Sequence, residues 1–176
     1  MADLNELLKD YKSSSYRENI LEQIFCAELL QAAWCVGLPL VEIDRPFVDF
    51  RGYDLVASCG PITRHIQLKA TNNAVSVHEA LASKPSGCVI NLQPSVQGDP
   101  PRITFAYRFF GEKPGQPLVL GDFKHAKKTM NSLQESGAFG KSERLSHFVI
   151  PSGPFQPIKT SNELVVLLFG NPSVGM

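Results

Sequence analysis

Asp54, Gln67 and Lys69 fall inside two segments, "GYDLVAS" and "HIQLKA", that are otherwise apolar enough to be strands. A carboxylate, an amide oxygen and an ammonium brought to one sheet face suit a hard divalent cation, Mg2+ or Mn2+ in its place. Such an ion takes one or two carboxylates and fills its remaining positions with water and substrate phosphate. The lysine would hold or polarise a nucleophilic water and offset the charge of a leaving phosphate. A second carboxylate would strengthen the site, and the segment upstream carries Glu18, Glu22 and Glu28.

Geometry decides whether these groups can meet. Side chains alternate across a strand, so Gln67 and Lys69 share a face with His65 and Thr71, while Ile66 and Leu68 point to the other. With a turn centred between Gly60 and Pro61, antiparallel pairing sets Leu55 opposite Ile66 and Asp54 opposite Gln67. A slip of one residue would put Asp54 against Leu68 and turn Leu55 and Ile66 to the wrong side, so the apolar pattern favours the first register. A bulge at Gly52 or Cys59 would change it locally.

The elements that must hold these residues are written in the patterning. "SSSYRENILEQIFCAELLQAAWCVGLP" predicts a helix from about Tyr16 to about Val36, opened by an S-x-x-E box at Ser15 and Glu18 and stopped by Gly37 and Pro39. It is apolar nearly all round, as expected of a helix packed on a sheet on one side and on further structure on another. Three strands follow in "LVEIDRPFVDF", "YDLVAS" and "ITRHIQLKAT", then a short helix in "SVHEALAS" with its own S-x-x-E box, and a buried strand in "GCVINLQP". "PSVQGDPP" reads as a loop, and "RITFAYRFFG" as a strand with Ile103, Phe105, Tyr107 and Phe109 on one core face. "DFKHAKKTMNSLQESG" predicts a helix from an Asp122 cap to Gly137, "LSHFVIP" a strand, and "SNELVVLLFG" a short apolar closing helix.

At 176 residues the chain reads as a single domain, 1–176, able to bury a core without metal or disulfide staples. Lys plus Arg equals Asp plus Glu at 17 each, so no global positive field marks a nucleic-acid partner, and binding of that kind would rest on a local patch. No apolar run approaches the roughly 18 residues that cross a bilayer, and "MADLNELLKDYKSSSYRE" lacks the pattern of a secretory signal. A soluble protein with a cytoplasmic address and no membrane partner is the expectation. Cys26, Cys35, Cys59 and Cys88 have no C-x-x-C spacing and read as reduced, mostly buried thiols.

Each candidate has a plainer reading. Glu22 has Phe25, Cys26 and Leu29 at i+3, i+4 and i+7, a poor setting for a solvated acid, but Glu28 also has apolar neighbours and the helical wheel does not choose between them. Asp49 is either a further acid of the site or a salt-bridge partner of Arg45 or Arg51. For Gln67 and Lys69 the plain alternative is an exposed hairpin face. Lys124, Lys127 and Lys128 in "KHAKK" fall on the expected helix, as a solvated face or as phosphate contacts. His65, His78, His125 and His147 have no metal-ligand spacing.

Taken in order, "EQIFCAELLQAAW", "GYDLVAS" and "HIQLKA" resemble three blocks of the PD-(D/E)XK nuclease superfamily, in the Q-x-K branch of small resolvase-like and restriction-endonuclease-like proteins. The resemblance covers about residues 15–93, the nuclease-like core, and leaves 94–176 as additional strands and helices that complete the domain. It implies an α/β fold with an α-β-β-β-α-β core and a central mixed sheet flanked by helices. It also implies a Mg2+-dependent (or Mn2+-dependent) nuclease, a hydrolase of phosphodiesters, with DNA as partner and a homodimer as a common assembly. By the same resemblance Glu22 matches the helix carboxylate, Asp54 the metal-binding aspartate, Gln67 the D/E position and Lys69 the lysine; Asp54, Gln67 and Glu22 would be the metal ligands. Tyr53 replaces the proline before the aspartate, and Gln67 replaces an acid, which weakens a metal site while keeping an oxygen ligand. The rival expectation is a catalytically inactive module of this fold that binds nucleic acid or assembles with protein.

Overall fold

The computed structural model describes residues 14–47, 52–127 and 143–171, the side chains of 127 and 143–145 excepted. Helix α1 (Ser14–Cys35) turns Leu21, Phe25, Leu29, Ala32 and Ala33 inward at helical spacing. A buried Leu or Phe side chain contributes roughly 1.5–3 kcal/mol, so this stripe, more than propensity, stabilises the helix. Its end is set by Gly37 at φ +75°. The Gly37 N–H donates to the Trp34 carbonyl at 3.1 Å and the Leu38 N–H to the Ala33 carbonyl at 3.0 Å, the bond pair of a Schellman termination. Ser15 and Glu18 lie within the helix, so the expected capping box at its start is not formed there.

The chain continues through β1 (Val41–Asp44), β2 (Leu55–Cys59), β3 (Ile62–Lys69), β4 (Val75–His78), the short α2 (Glu79–Ala82), β5 (Gly87–Gln97) and β6 (Arg102–Gly111). After these come β7 (Lys124–Lys127), β8 (Glu143–Ile150), β9 (Gln156–Ile158) and α3 (Ser161–Phe169). The fold is mixed α/β. A six-stranded sheet runs β1-β2-β3-β5-β6-β9, and a three-stranded sheet runs β4-β8-β7. Within the larger sheet β3 and β5 are parallel, and the other neighbouring pairs are antiparallel.

Two cores lie on opposite faces of the larger sheet. On one face Leu55, Ala57, Ile66, Cys88, Ile90, Leu92, Phe105, Tyr107 and Phe109 pack with the α1 stripe and with Leu164, Val165 and Leu168 of α3. On the other, Val89 joins Val75, Val77, Leu81, Leu118, Leu120, Ile150 and Phe155, which covers the sheet with β4, β8 and α2. α3 also packs on α1, the further structure that the apolar wheel of α1 called for, although Leu30 and Trp34 stay exposed. None of the described helices is long and apolar enough to cross a membrane.

Local expectations failed where long-range pairing overrode them. Val75 and Val77 alternate inward as β4, and α2 is capped by His78, whose Nδ1 accepts from the Ala80 N–H at 3.0 Å; Ser76 is not the cap. The helix expected from Asp122 is instead strand β7 at Lys124–Lys127, paired with β8 across a shift between His125 and Ala126. Lys124 therefore stands on a strand, and Lys128 with the rest of that expected helix lies outside the described residues. β5 runs on to Gln97 through much of the expected loop, and β9 was not foreseen.

All four cysteines are free: Cys59 and Cys88 are buried, Cys26 is half-buried and Cys35 exposed. Burial pushes the Cys88 thiol up to about 12, and the thiolate is the reactive form. Ellman's reagent is therefore expected to modify Cys35 first in native protein, with Cys59 and Cys88 reacting only on unfolding. Equal native rates for Cys35 and Cys88 would contradict this packing.

Candidate active site

Asp54 stands just ahead of β2 and Lys69 closes β3, so both sit at the open end of the hairpin, away from its turn at Gly60 and Pro61. There β3 runs beside β5 in parallel, and the crevice beyond the carboxyl ends of parallel strands is where open α/β sheets place ligands. The end of β3 is held firmly. Buried Asn91 donates from Nδ2 to the Thr71 carbonyl at 2.8 Å and accepts the Thr71 N–H on Oδ1 at 3.1 Å, so its amide takes the place of a neighbouring strand.

The hairpin keeps the expected register from Cys59↔Ile62 to Leu55↔Ile66. At Asp54 it departs from it. The Asp54 N–H donates to the Ile66 carbonyl at 2.9 Å, and the Leu68 N–H donates to Asp54 Oδ2 at 2.6 Å. Asp54 and Leu55 thus both face Ile66, and the expected ladder pair of Asp54 with Gln67 is replaced by two bonds that bracket Gln67. The approach to β2 explains the offset: Gly52 has φ +71°, and a Cβ there would lie 2.4 Å from the His78 Cβ. The chain must pass tightly against the β4–α2 junction before it joins the sheet.

A pocket of about 210 Å³ opens at this end, lined by Arg17, Glu18, Leu21 and Glu22 of α1, by Asp54, by Leu68, Lys69 and Ala70, and by Leu92 of β5. Glu22, Asp54 and Lys69 therefore meet, and the choice that the wheel left open falls on Glu22. Glu28 belongs elsewhere: the Tyr107 hydroxyl donates to its Oε2. Both line a larger cleft of about 470 Å³ beside Thr160 and Ser161, where none of the described lining residues is cationic and able to receive a phosphate.

Burial holds the Glu22 carboxyl above its ordinary range; Arg45 opposes this shift and the nearby charge of Asp54 adds to it. Arg45 Nε pairs with Glu22 Oε1 at 2.9 Å. Gln67 is not among the residues lining the pocket. It is 7% exposed, and its Oε1 is a buried acceptor with no hydrogen-bond partner among the described residues. A buried acceptor left unsatisfied calls for a ligand, a water or an ion. Two carboxylates and this amide oxygen are the donor types that Mg2+ or Mn2+ takes. Among the described residues no three His, Cys, Asp or Glu side chains are grouped as a ready metal cage, so an ion here would depend on water and substrate phosphate for the rest of its shell.

Comparison with family models, with curated proteins and with solved structures gave no match.

Arg45 and Arg17 were not foreseen as neighbours of the site. Glu18 and Glu22, four apart on a helix, were legible as one face. From the sequence Arg45 reads only as a partner for Asp49, which lies outside the described residues with Arg51. His65 stacks edge-on against Tyr53 at 4.9 Å between ring centroids, and burial lowers its pKa.

Proposed function

We propose that this chain is a metal-dependent nuclease of the PD-(D/E)XK type, hydrolysing phosphodiester bonds of DNA. The observation that carries the reading is the convergence of Glu22, Asp54 and Lys69 on one pocket at the end of β3. Its support also includes the order α1-β1-β2-β3-α2-β5 with β3 parallel to β5, which agrees with the α-β-β-β-α-β arrangement that the resemblance implies once β4 is set aside in the second sheet.

Asp54 and Glu22, which line the pocket, would hold the divalent cation, which when bound supplies charge neutralisation at the phosphate and activation of water; Gln67 would join them only by turning its buried amide oxygen toward the pocket. Asp54 is fixed for this by the Leu68 N–H. Lys69, at the carboxyl end of a strand pinned through Asn91, orients the attacking water by hydrogen bonding and stabilises negative charge on the phosphoryl oxygens. The water oxygen bonds to phosphorus in line with the leaving oxygen, the P–O ester bond breaks, and the leaving oxygen takes a proton.

Calorimetric titration with Mn2+ tests the reading. Wild type is expected to bind, and Asp54→Ala to lose at least about tenfold in affinity, the order of effect seen even for outer groups of metal sites. Absence of binding in folded wild type would favour the second reading, an inactive module of the same fold. Two features favour that reading: Gln67 in place of an acid, and the Arg45 guanidinium resting on Glu22.

A further inference from the structure

We infer that Arg45 is a resident counter-ion of Glu22, which competes with the divalent cation for this carboxylate and, when displaced, takes a substrate phosphate. This rests on the nuclease reading and deepens it by naming a group that couples metal loading to substrate binding.

The guanidinium is held by one patch of α1. Its Nε meets Glu22 Oε1 at 2.9 Å. The Gln23 amide, turned so that both of its ends are satisfied, accepts from Nη2 at 2.7 Å and from Nη1 at 2.9 Å. Of these two partners only Glu22 carries a charge. The Arg45 side chain is 41% exposed and Glu22, which lines the pocket, is 22% exposed, so the pair is in reach of solvent.

Three consequences follow from this placement. Glu22 and Asp54 share a pocket, and the positive charge of Arg45 offsets their repulsion when nothing else does. A divalent cation drawn to the same carboxylates would meet a guanidinium that cannot shed its proton, so both cannot hold Glu22 equally well. The planar fork that fits a carboxylate fits a phosphate in the same bidentate manner. An arginine released from Glu22 therefore finds its next partner in the substrate backbone. Arg45 enters the chain just after β1 and carries no element of its own, which leaves the side chain room to exchange partners.

Two measurements on Arg45→Met separate this role from a merely structural bridge between α1 and β1. The first is Mn2+ affinity without nucleic acid, by calorimetry: removal of the competitor is expected to tighten binding about tenfold. The second is DNA affinity with Mn2+, by fluorescence anisotropy in a Lys69→Ala background, read before its slowed cutting proceeds: loss of a phosphate contact is expected to weaken binding about tenfold. A structural bridge would not move the two readouts in opposite directions. Unchanged or weaker Mn2+ binding by Arg45→Met would overturn the inference while leaving the nuclease reading intact, because wild type would still bind metal through Asp54. Tighter Mn2+ binding with unchanged DNA binding would overturn the exchange of partners. No Mn2+ binding by wild type or by the variant would overturn both this inference and the reading it rests on.

Discussion

Lys69→Ala is expected to slow cleavage of DNA by about 10²–10³-fold, the loss typical of removing one group that stabilises developing charge. Folding and Mn2+ affinity should not fall with it. Lys69 ends β3, its side chain is only half-buried, and it is not among the oxygen donors that would hold the ion. In the proposed mechanism its work is confined to the attacking water and the phosphoryl oxygens, so the deficit belongs in the single-turnover rate. Lys69→Arg keeps the charge but replaces a compact ammonium with a planar fork, and should recover only part of the activity. A Lys69→Ala rate close to wild type would remove the lysine from the mechanism.

Arg64→Ala is expected to cost about 3–5 kcal/mol of folding free energy, the range for breaking a buried charged interaction by removing one partner. Arg64 is fully buried in β3. Its Nε donates to the Leu168 carbonyl at 2.9 Å, Nη1 to the Glu112 carbonyl at 2.8 Å and Nη2 to the Leu167 carbonyl at 3.3 Å. The guanidinium thus closes the carbonyl end of α3, where a cation is also favoured by the helix dipole, and lies over the Phe109 ring at 6.0 Å. Truncation leaves three acceptors without this donor and opens a cavity between β3 and the closing helix. Thermal denaturation would report a fall of roughly 10 °C for a chain of this size. A fall of only a degree or two would mean that the carbonyls find other partners.

The hairpin was legible because two local signals agreed. Gly60 and Pro61 fixed the turn, and the alternation of Leu55, Ala57, Ile66 and Leu68 fixed the faces, so the register from Leu55 to Cys59 could be read without tertiary information. The last step at Asp54 could not, because it depends on Gly52 passing against His78, a residue of another sheet. The same division holds elsewhere. "RITFAYRFFG" carries its own period and became β6 as expected, whereas "KHAK" acquires strand geometry only from its pairing with β8.

In the site, residue types on one chain segment could be gathered by geometry, but contacts between segments could not. Glu22 and Glu28 have equivalent wheels, and only the position of Tyr107 across the core takes Glu28 away. Arg45 gives no local signal, since its partners are set by how β1 lies along α1. Arg64 did leave one. Alternation places it on the inward face with Ile62, Ile66 and Leu68, and a charged residue in such a row demands a buried partner.

The most direct test is cleavage of single-stranded, duplex and branched DNA by wild type and Asp54→Asn, each with Mg2+, Mn2+ or EDTA. The expected result is cutting by wild type with either metal, none in EDTA, and loss of cutting in Asp54→Asn. Failure of folded wild type to cut any of the three substrates with either metal, or cutting that Asp54→Asn retains, would contradict a metal-dependent nuclease centred on this pocket.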